Sequence, residues 1–222
     1  MTLRMFSTLA VAAALERDVL PRLAREGREI DVTFDPTAVL RQRVADGEPF
    51  DLVFAIEDWV RELAAHGRLD PETVRHVGSV GIGVAVAPDA PVAPVGSPDA
   101  VRALVTSARS VAWSRSGASG KAFLRVLDEL GVRAEVESKA TILEKGFTAE
   151  AILDGRADVA VQQVSELHYV PGIQVLGALP AELQSTTSFA VGAQLATGQT
   201  MDALDRLTNT DARAGYRSTG LF

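Results

Sequence analysis

The sequence contains no cysteine. Disulfides, iron–sulfur clusters and thiol catalysis are therefore excluded. Histidine is scarce: His66, His76 and His168 are the whole set. Their spacing fits no metal-ligand pattern, and neither a His-x-x-x-His pair nor a calcium-type acidic loop occurs. All three read as surface or loop residues; no metal and no cofactor is expected. Positive charge is in deficit too. With 22 Lys and Arg against 29 Asp and Glu, the net charge is −7, and both signs are scattered along the chain. A nucleic-acid partner, which needs a basic face, is not expected. Residues Met1 to Phe6 run straight into structure without a charged leader region, an apolar core or a cleavage site. As given, this reads as a cytoplasmic chain; a periplasmic or secreted location follows if a signal peptide was removed. Ala10 to Leu15 is apolar but far too short to span a membrane, so no membrane insertion is expected. Internal repeats, heptads and low-complexity stretches are also missing.

What is present is a globular composition. The 222 residues are 47% hydrophobic, enough for one large or two small domains with a real core. The stretch from Ser110 to Gly131 organises the rest. A short apolar strand, Val111 to Trp113, feeds a loop of small residues, Ser114 to Gly120. An amphipathic helix follows, with Ala122, Phe123, Val126, Leu127 and Leu130 on one face and Gly131 as its stop. The first amides of such a helix lack intrahelical partners, and the macrodipole adds positive charge there. Arg115 and Lys121 bring formal charge to the same place. The loop is an anion site or an ordinary capped turn. It is not a P-loop: Arg115 stands where the first Gly is needed, and Ala122 has no hydroxyl for magnesium.

Taken in order, the chain alternates. A strand at Leu3 to Phe6 leads through Ser7-Thr8 to a helix from Ala10 to Arg25, which Pro21 should bend or restart. Ile30 to Phe34 is a strand. Asp35-Pro36-Thr37 is a turn, with Asp or Thr as cap, into a helix from Ala38 to Asp46. Asp51 to Ile56 reads as a strand in the middle of a parallel sheet, and Trp59 to Ala65 as a helix. This β-α-β-α-β-α order predicts parallel pairing with right-handed crossovers. Val77 to Ala87 is a crossing strand that Gly81 and Gly83 let bend, and Pro88 to Pro98 a surface loop. A helix to Ser107 and the organising stretch come next. Then follow a strand near Val136, a helix over 148–154, a strand at Val159 to Gln162, an extended piece at Gly172 to Leu176, and a return strand at Ser185 to Gly192. Two short helices, 201–209 and 211–216, end the chain. Gln162 to Glu166 places polar residues at the C-terminal end of a strand, where open α/β sheets bind ligands. Two α/β runs joined by two extended crossings predict two lobes around a hinge: 1–82 with 188–222, and 83–187, with crossings near 80–84 and 186–191.

With these residues in place the chain resembles the type 2 periplasmic-binding-protein fold, and within it relatives of the periplasmic molybdate-binding protein. The resemblance runs over nearly the whole chain. It rests on Phe6-Ser7-Thr8-Leu9, Leu40 to Val53, Leu63 to Leu69, Ala118 to Gly131, Asp154 to Val161 and Gly220-Leu221-Phe222. It implies a two-lobed α/β protein that holds a small anion between its lobes with hydroxyls and amides. The matching positions are Ser7, Thr8, Thr37, Ser116, Gly117, Ala118, Ser119 and Gln163, joined by Arg115. Departures from the molybdate pattern shift the expected ligand. Asp35-Pro36-Thr37 replaces a run of serines, Gln163 stands where Tyr is usual, and Arg115 is added. An acidic residue repels molybdate, whereas Arg suits planar carboxylates. Gln163-Val164-Ser165-Glu166 is closer to a wider group of substrate-binding domains that includes aconitate isomerase.

Three readings follow. The first is a binder of a small organic anion, a di- or tricarboxylate, with an ABC permease as partner if the chain is exported. The second is a cytoplasmic isomerase moving a proton within a small carboxylic acid. It needs a base, for which Glu166, Asp35 and Lys145 are the candidates. The third is a cytoplasmic sensor whose closure alters a partner.

Overall fold

The structure is a computed structural model that describes residues 2–91 and 94–222. Met1, and residues 92 and 93 of the expected 88–98 loop, lie outside the described residues. In chain order, β1 (Leu3–Ser7) leads into helical turns over 9–25 that contain α1 (Ala12–Ala14) and α2 (Leu20–Arg25). Next come β2 (Ile30–Phe34), α3 (Thr37–Ala45), β3 (Leu52–Ile56), α4 (Glu57–Ala65) and β4 (Arg75–Val86). After α5 (Pro98–Ser107) stand β5 (Val111–Ser114), α6 (Ala118–Glu129), α7 (Arg133–Glu137) and β6 (Ala140–Leu143). The chain continues through α8 (Glu150–Leu153), β7 (Val159–Gln163), α9 (Val164–Leu167), β8 (Gln174–Ala178) and β9 (Thr186–Ala193). It closes with α10 (Gly198–Thr208) and α11 (Thr210–Ser218). Two compact units result, Met1–Ser79 with Thr187–Phe222, and Val80–Thr186.

In unit 1, β1 lies between two parallel neighbours, with Leu3 opposite Ile30 on β2 and Met5 opposite Leu52 on β3. β3 is not flanked by parallel strands on both sides, as its apolar sequence suggests. Its other neighbour is β9, antiparallel, with Leu52 opposite Ala193 and Ile56 opposite Phe189. A strand buried on both faces reads the same whichever way its neighbour runs, so the sequence pattern could not fix the direction. The core on one face is built from Phe6, Leu40, Phe50, Val53, Trp59, Val60 and Leu63. Elsewhere Phe54 meets the buried ring of Tyr216 edge-on at 5.7 Å. Pro21 restarts the first helix as expected: a π-turn over Leu15–Val19 precedes the α-helical turns of α2. The wider turn accommodates a residue that has no N–H to give back to the preceding turn.

In unit 2, β5 lies between β6 and β7, parallel to both, with Val111 opposite Ala140 and Val159. β4 runs antiparallel to β7 and carries β8 on the other side. Trp113, Phe123, Val126, Leu127, Val136 and Val161 fill the core beneath. Two local readings are corrected here. The segment around Val136 is the short helix α7, not a strand; the strand is β6, four residues on. Arg133, Ala134 and Glu135 favour helix, and Arg133 ties this turn to Asp128 (2.7 Å) and Glu137 (3.2 Å). The helix expected over 148–154 is regular only at Glu150–Leu153, because Thr148 is bound elsewhere, as described below.

Candidate functional site

Both α/β units present loops at the C-terminal ends of their parallel strands. In unit 2, β5 ends at Ser114, whose hydroxyl accepts the N–H of Gly117 at 3.0 Å. Gly117 is the residue before α6, and no side chain caps that helix. Its first intrahelical bond is Lys121 N–H to the Gly117 carbonyl at 3.1 Å. The amides of Ala118, Ser119 and Gly120 therefore have no acceptor within the helix. Gly120 is required here by proximity rather than by φ. A Cβ at this position would stand 1.8 Å from the Ser114 carbonyl oxygen. The first turn of α6 is thus pressed onto the end of β5 closer than any side chain allows.

Arg115 and Ser116 are exposed, Gly117 is half-buried, Ala118 is exposed and Ser119 is buried. The Arg115 charge does not stand free in this loop. Its Nε donates to Glu144 at 2.5 Å, and both side chains are more than half exposed. Lys121, also expected to add charge, lies in the second turn of the helix and is exposed. The formal positive charge expected at the loop is therefore answered locally by Glu144. What remains is a set of neutral N–H donors.

Beside this loop, β7 ends in two buried amides, Gln162 and Gln163. The Gln162 carbonyl oxygen accepts the Thr148 N–H (2.8 Å) and the Thr148 hydroxyl (3.0 Å), and its amide donates to the Gly146 carbonyl (3.2 Å). Gln162 thereby pins the 144–149 loop to the strand end. Phe147 on that loop stacks on Tyr169, with ring centroids 4.0 Å apart. Gln163 is the N-cap of α9, and its N–H donates to the Glu166 carboxylate at 3.3 Å. Glu166 is buried. Burial pushes its carboxyl up to about 7, and hydrogen bonds from the Gln163 backbone and the Gln162 side chain only partly offset that cost. Ser165 next to it is fully buried, and its hydroxyl has no partner among the described residues. Lys145, the third candidate base, is exposed.

In unit 1, Ser7 is fully buried and its hydroxyl reaches the Thr8 carbonyl at 3.3 Å. The Ser7 carbonyl accepts from Asp35 N–H, and Thr8 N–H donates to the Phe54 carbonyl. Thr8 precedes the first helical turn, but its side chain makes no cap bond. The cap expected at Asp35 or Thr37 is also corrected. Pro36 holds the N-cap position, and Thr37, half-buried, is the first helical residue. Asp35 is drawn off by Arg43 at 2.8 Å, which also binds Glu48 at 2.8 Å.

Sequence reasoning passed over Glu57 and read His76 only as a surface or loop histidine. Glu57 opens α4 after β3; its carboxylate binds Arg61 at 2.5 Å and His76 Nδ1 at 2.7 Å. Burial opposes its ionisation, but these partners prevail and hold it below the ordinary glutamate value. Only the Glu57–Arg61 spacing was visible in the chain; His76 comes from another strand. Among the described residues no group of three or more His, Cys, Asp or Glu side chains could hold a metal ion. No described helix is long and apolar enough to cross a membrane.

Known proteins share this architecture. Aconitate isomerase from Pseudomonas sp is 28% identical over 216 residues, covering 92% of this chain and 82% of that protein. The periplasmic molybdate-binding protein of Azotobacter vinelandii superposes with a TM-score of 0.76 at 15% identity, covering 99% of this chain and 98% of that one. The tungstate ABC transporter protein of Geobacter sulfurreducens superposes with a TM-score of 0.69 at 14% identity, covering 98% of both chains. Such neighbours establish the type 2 periplasmic-binding-protein fold. The sequence matches the family described as bacterial extracellular solute-binding protein over residues 3–220, and the chain belongs to that family.

Proposed function

We propose that this protein binds a small organic anion, a di- or tricarboxylate, seated on the first turn of α6. The observation that carries the reading is the uncapped start of that helix. Ala118, Ser119 and Gly120 offer amides without an intrahelical acceptor, and the glycine brings them hard against β5. An anion leaving water needs several donors to replace its hydration, and a helix N-terminus supplies them without formal charge. That suits a chain whose net charge is −7. Structural relatives named for molybdate and tungstate support an anion as ligand. The relative named aconitate isomerase favours a carboxylate. Arg115, in the loop before the helix, is tied only at the surface, to Glu144. In this reading it exchanges Glu144 for the ligand, while Gln163 of the same unit supplies a further polar contact. For an exported form, the implied partner is an ABC permease.

The test is calorimetry with trans-aconitate, citrate, molybdate and sulfate. Binding of a carboxylate with little or no molybdate binding is expected; tight molybdate binding with no carboxylate binding overturns the ligand class. Arg115→Ala is expected to weaken binding about tenfold, the value of one charge-assisted hydrogen bond. Arg61→Ala, the control, removes only a surface partner of Glu57.

A second reading, isomerisation of a small unsaturated carboxylic acid, is favoured by the same relative and by Glu166. A carboxyl titrating near neutrality can both accept and return a proton. Incubation of the protein with cis- or trans-aconitate in deuterated water, followed by proton NMR, tests it. Interconversion or deuterium incorporation is expected; neither, with binding intact, leaves a binding protein.

A further inference from the structure

Glu166 is buried, yet the groups around it are not those that normally hold a buried carboxylate. α9 packs on β7 and β8, and neither Val159–Gln163 nor Gln174–Ala178 contains an ionisable residue. Val164 also approaches β4 at Gly83, and residues 80–86 of that strand carry no charge. On its own helix, the only other titratable neighbour is His168 at the C-cap. On the 144–149 loop, Glu144 is spent on Arg115 and Lys145 is exposed. The strand segments packed against this helix thus offer the carboxyl no cation. Its donors are the Gln163 N–H and the Gln162 side chain, and Gln162 is itself committed to Thr148 and Gly146. The unpartnered Ser165 hydroxyl leaves this polar cluster incompletely satisfied.

The location gives the cluster a consequence. β5 and β7 are adjacent parallel strands, so α6 and α9 start at the same edge of the sheet. α6 also packs against β7, the strand that leads directly into α9 and Glu166. We propose that Glu166 is a proton-linked positioning residue: its carboxyl takes up a proton when an anion is seated at the start of α6, so that anion binding is coupled to proton uptake. The inference rests on the anion-binding reading above. Two negative charges about 10 Å apart in a medium of protein-like polarity disfavour each other by roughly a factor of ten in affinity. Protonating Glu166 removes the penalty. It also leaves the capping contact to the Gln163 N–H available through the carbonyl oxygen.

Titration calorimetry with fumarate and with molybdate, both fully ionised in this range, tests the idea at pH 6, 7 and 8. Two buffers of different ionisation enthalpy report the protons exchanged. The parent protein is expected to take up a fraction of a proton near pH 7 and to lose about tenfold in affinity from pH 6 to 8. In Glu166→Gln both the uptake and the slope are expected to vanish. Binding without proton uptake, or a slope that persists in Glu166→Gln, overturns this inference alone. No binding of either probe at any pH overturns the anion-binding reading and takes the coupling with it. Carbon-13 NMR of the glutamate carboxyls in the ligand-free parent provides a check that does not depend on the variant folding. A Glu166 resonance that stays ionised down to pH 6 refutes the proposal.

Discussion

Replacing Glu166 by Gln should change how stability depends on pH, whether or not a ligand is present. In the unfolded chain this carboxyl titrates near 4.5; in the folded protein burial pushes it up to about 7. Between those values the folded state keeps a proton that the unfolded state has released. Stability then falls as pH rises through this window and is flat on either side of it. The full difference of two and a half pH units corresponds to about 3 kcal/mol. The substituted amide keeps the size and an acceptor for the Gln163 N–H but cannot ionise. At pH 8 the variant should therefore be more stable than the parent by up to about 3 kcal/mol, some 6–12 °C in Tm for a chain of this size. At pH 4 the two should be nearly equal. Urea unfolding followed by circular dichroism at pH 4, 6 and 8 measures the difference. Comparing variant with parent cancels the opposite contributions of Glu57, Asp158 and Asp202. Their carboxyls are held low by their partners, and what they contribute is lost as pH falls. A difference between variant and parent that stays constant from pH 5 to pH 8 would falsify the account of Glu166.

Three further outcomes follow from the same geometry. Gly120→Ala forces a Cβ to within 1.8 Å of the Ser114 carbonyl; a loss near or above about 3 kcal/mol is expected from overpacking against backbone, and a parental melting temperature would refute the close approach. Gln162→Ala strands the buried Thr148 N–H and should cost about 2–4 kcal/mol. Faster hydrogen exchange should be confined to residues 144–149; uniform change across unit 2 would count against a local pin. Arg115→Ala and Glu144→Ala remove an exposed pair and should each move stability by less than about 1 kcal/mol, so a larger drop in denaturation midpoint would show that Arg115 has a structural duty.

The elements were legible because their signals are local. The strand at Ile30–Phe34 follows from alternation, and the helix start at Pro98 from Pro98-Asp99-Ala100, a proline suited to a first helical turn. The misread places share one cause. A cap, an ion pair or a strand direction is decided by a partner far away in sequence. Asp35 is a good cap by type, but Arg43 claims it. Val136 looked like strand because one apolar residue among polar ones has no period of its own. β3 gave no hint that its second neighbour would be β9, more than a hundred residues on.

The candidate site divides along the same line. Its backbone part was readable: a strand, a loop of small residues and an amphipathic helix already imply free amides at the helix start. Its charges were not. Arg115 was expected at the ligand, yet Glu144, on a different strand's loop, meets it first. Glu166 was one candidate base among three, and nothing in Gln-Val-Ser-Glu distinguishes it from a solvated cap. Burial distinguishes it, and burial depends on β7 and β8 closing over a helix of only four residues. The donors for the anion are thus fixed by local sequence. The proton affinity beside them is a property of the packed sheet, so substitutions on β8, far from the loop, should shift the pH response without removing a single amide from the seat.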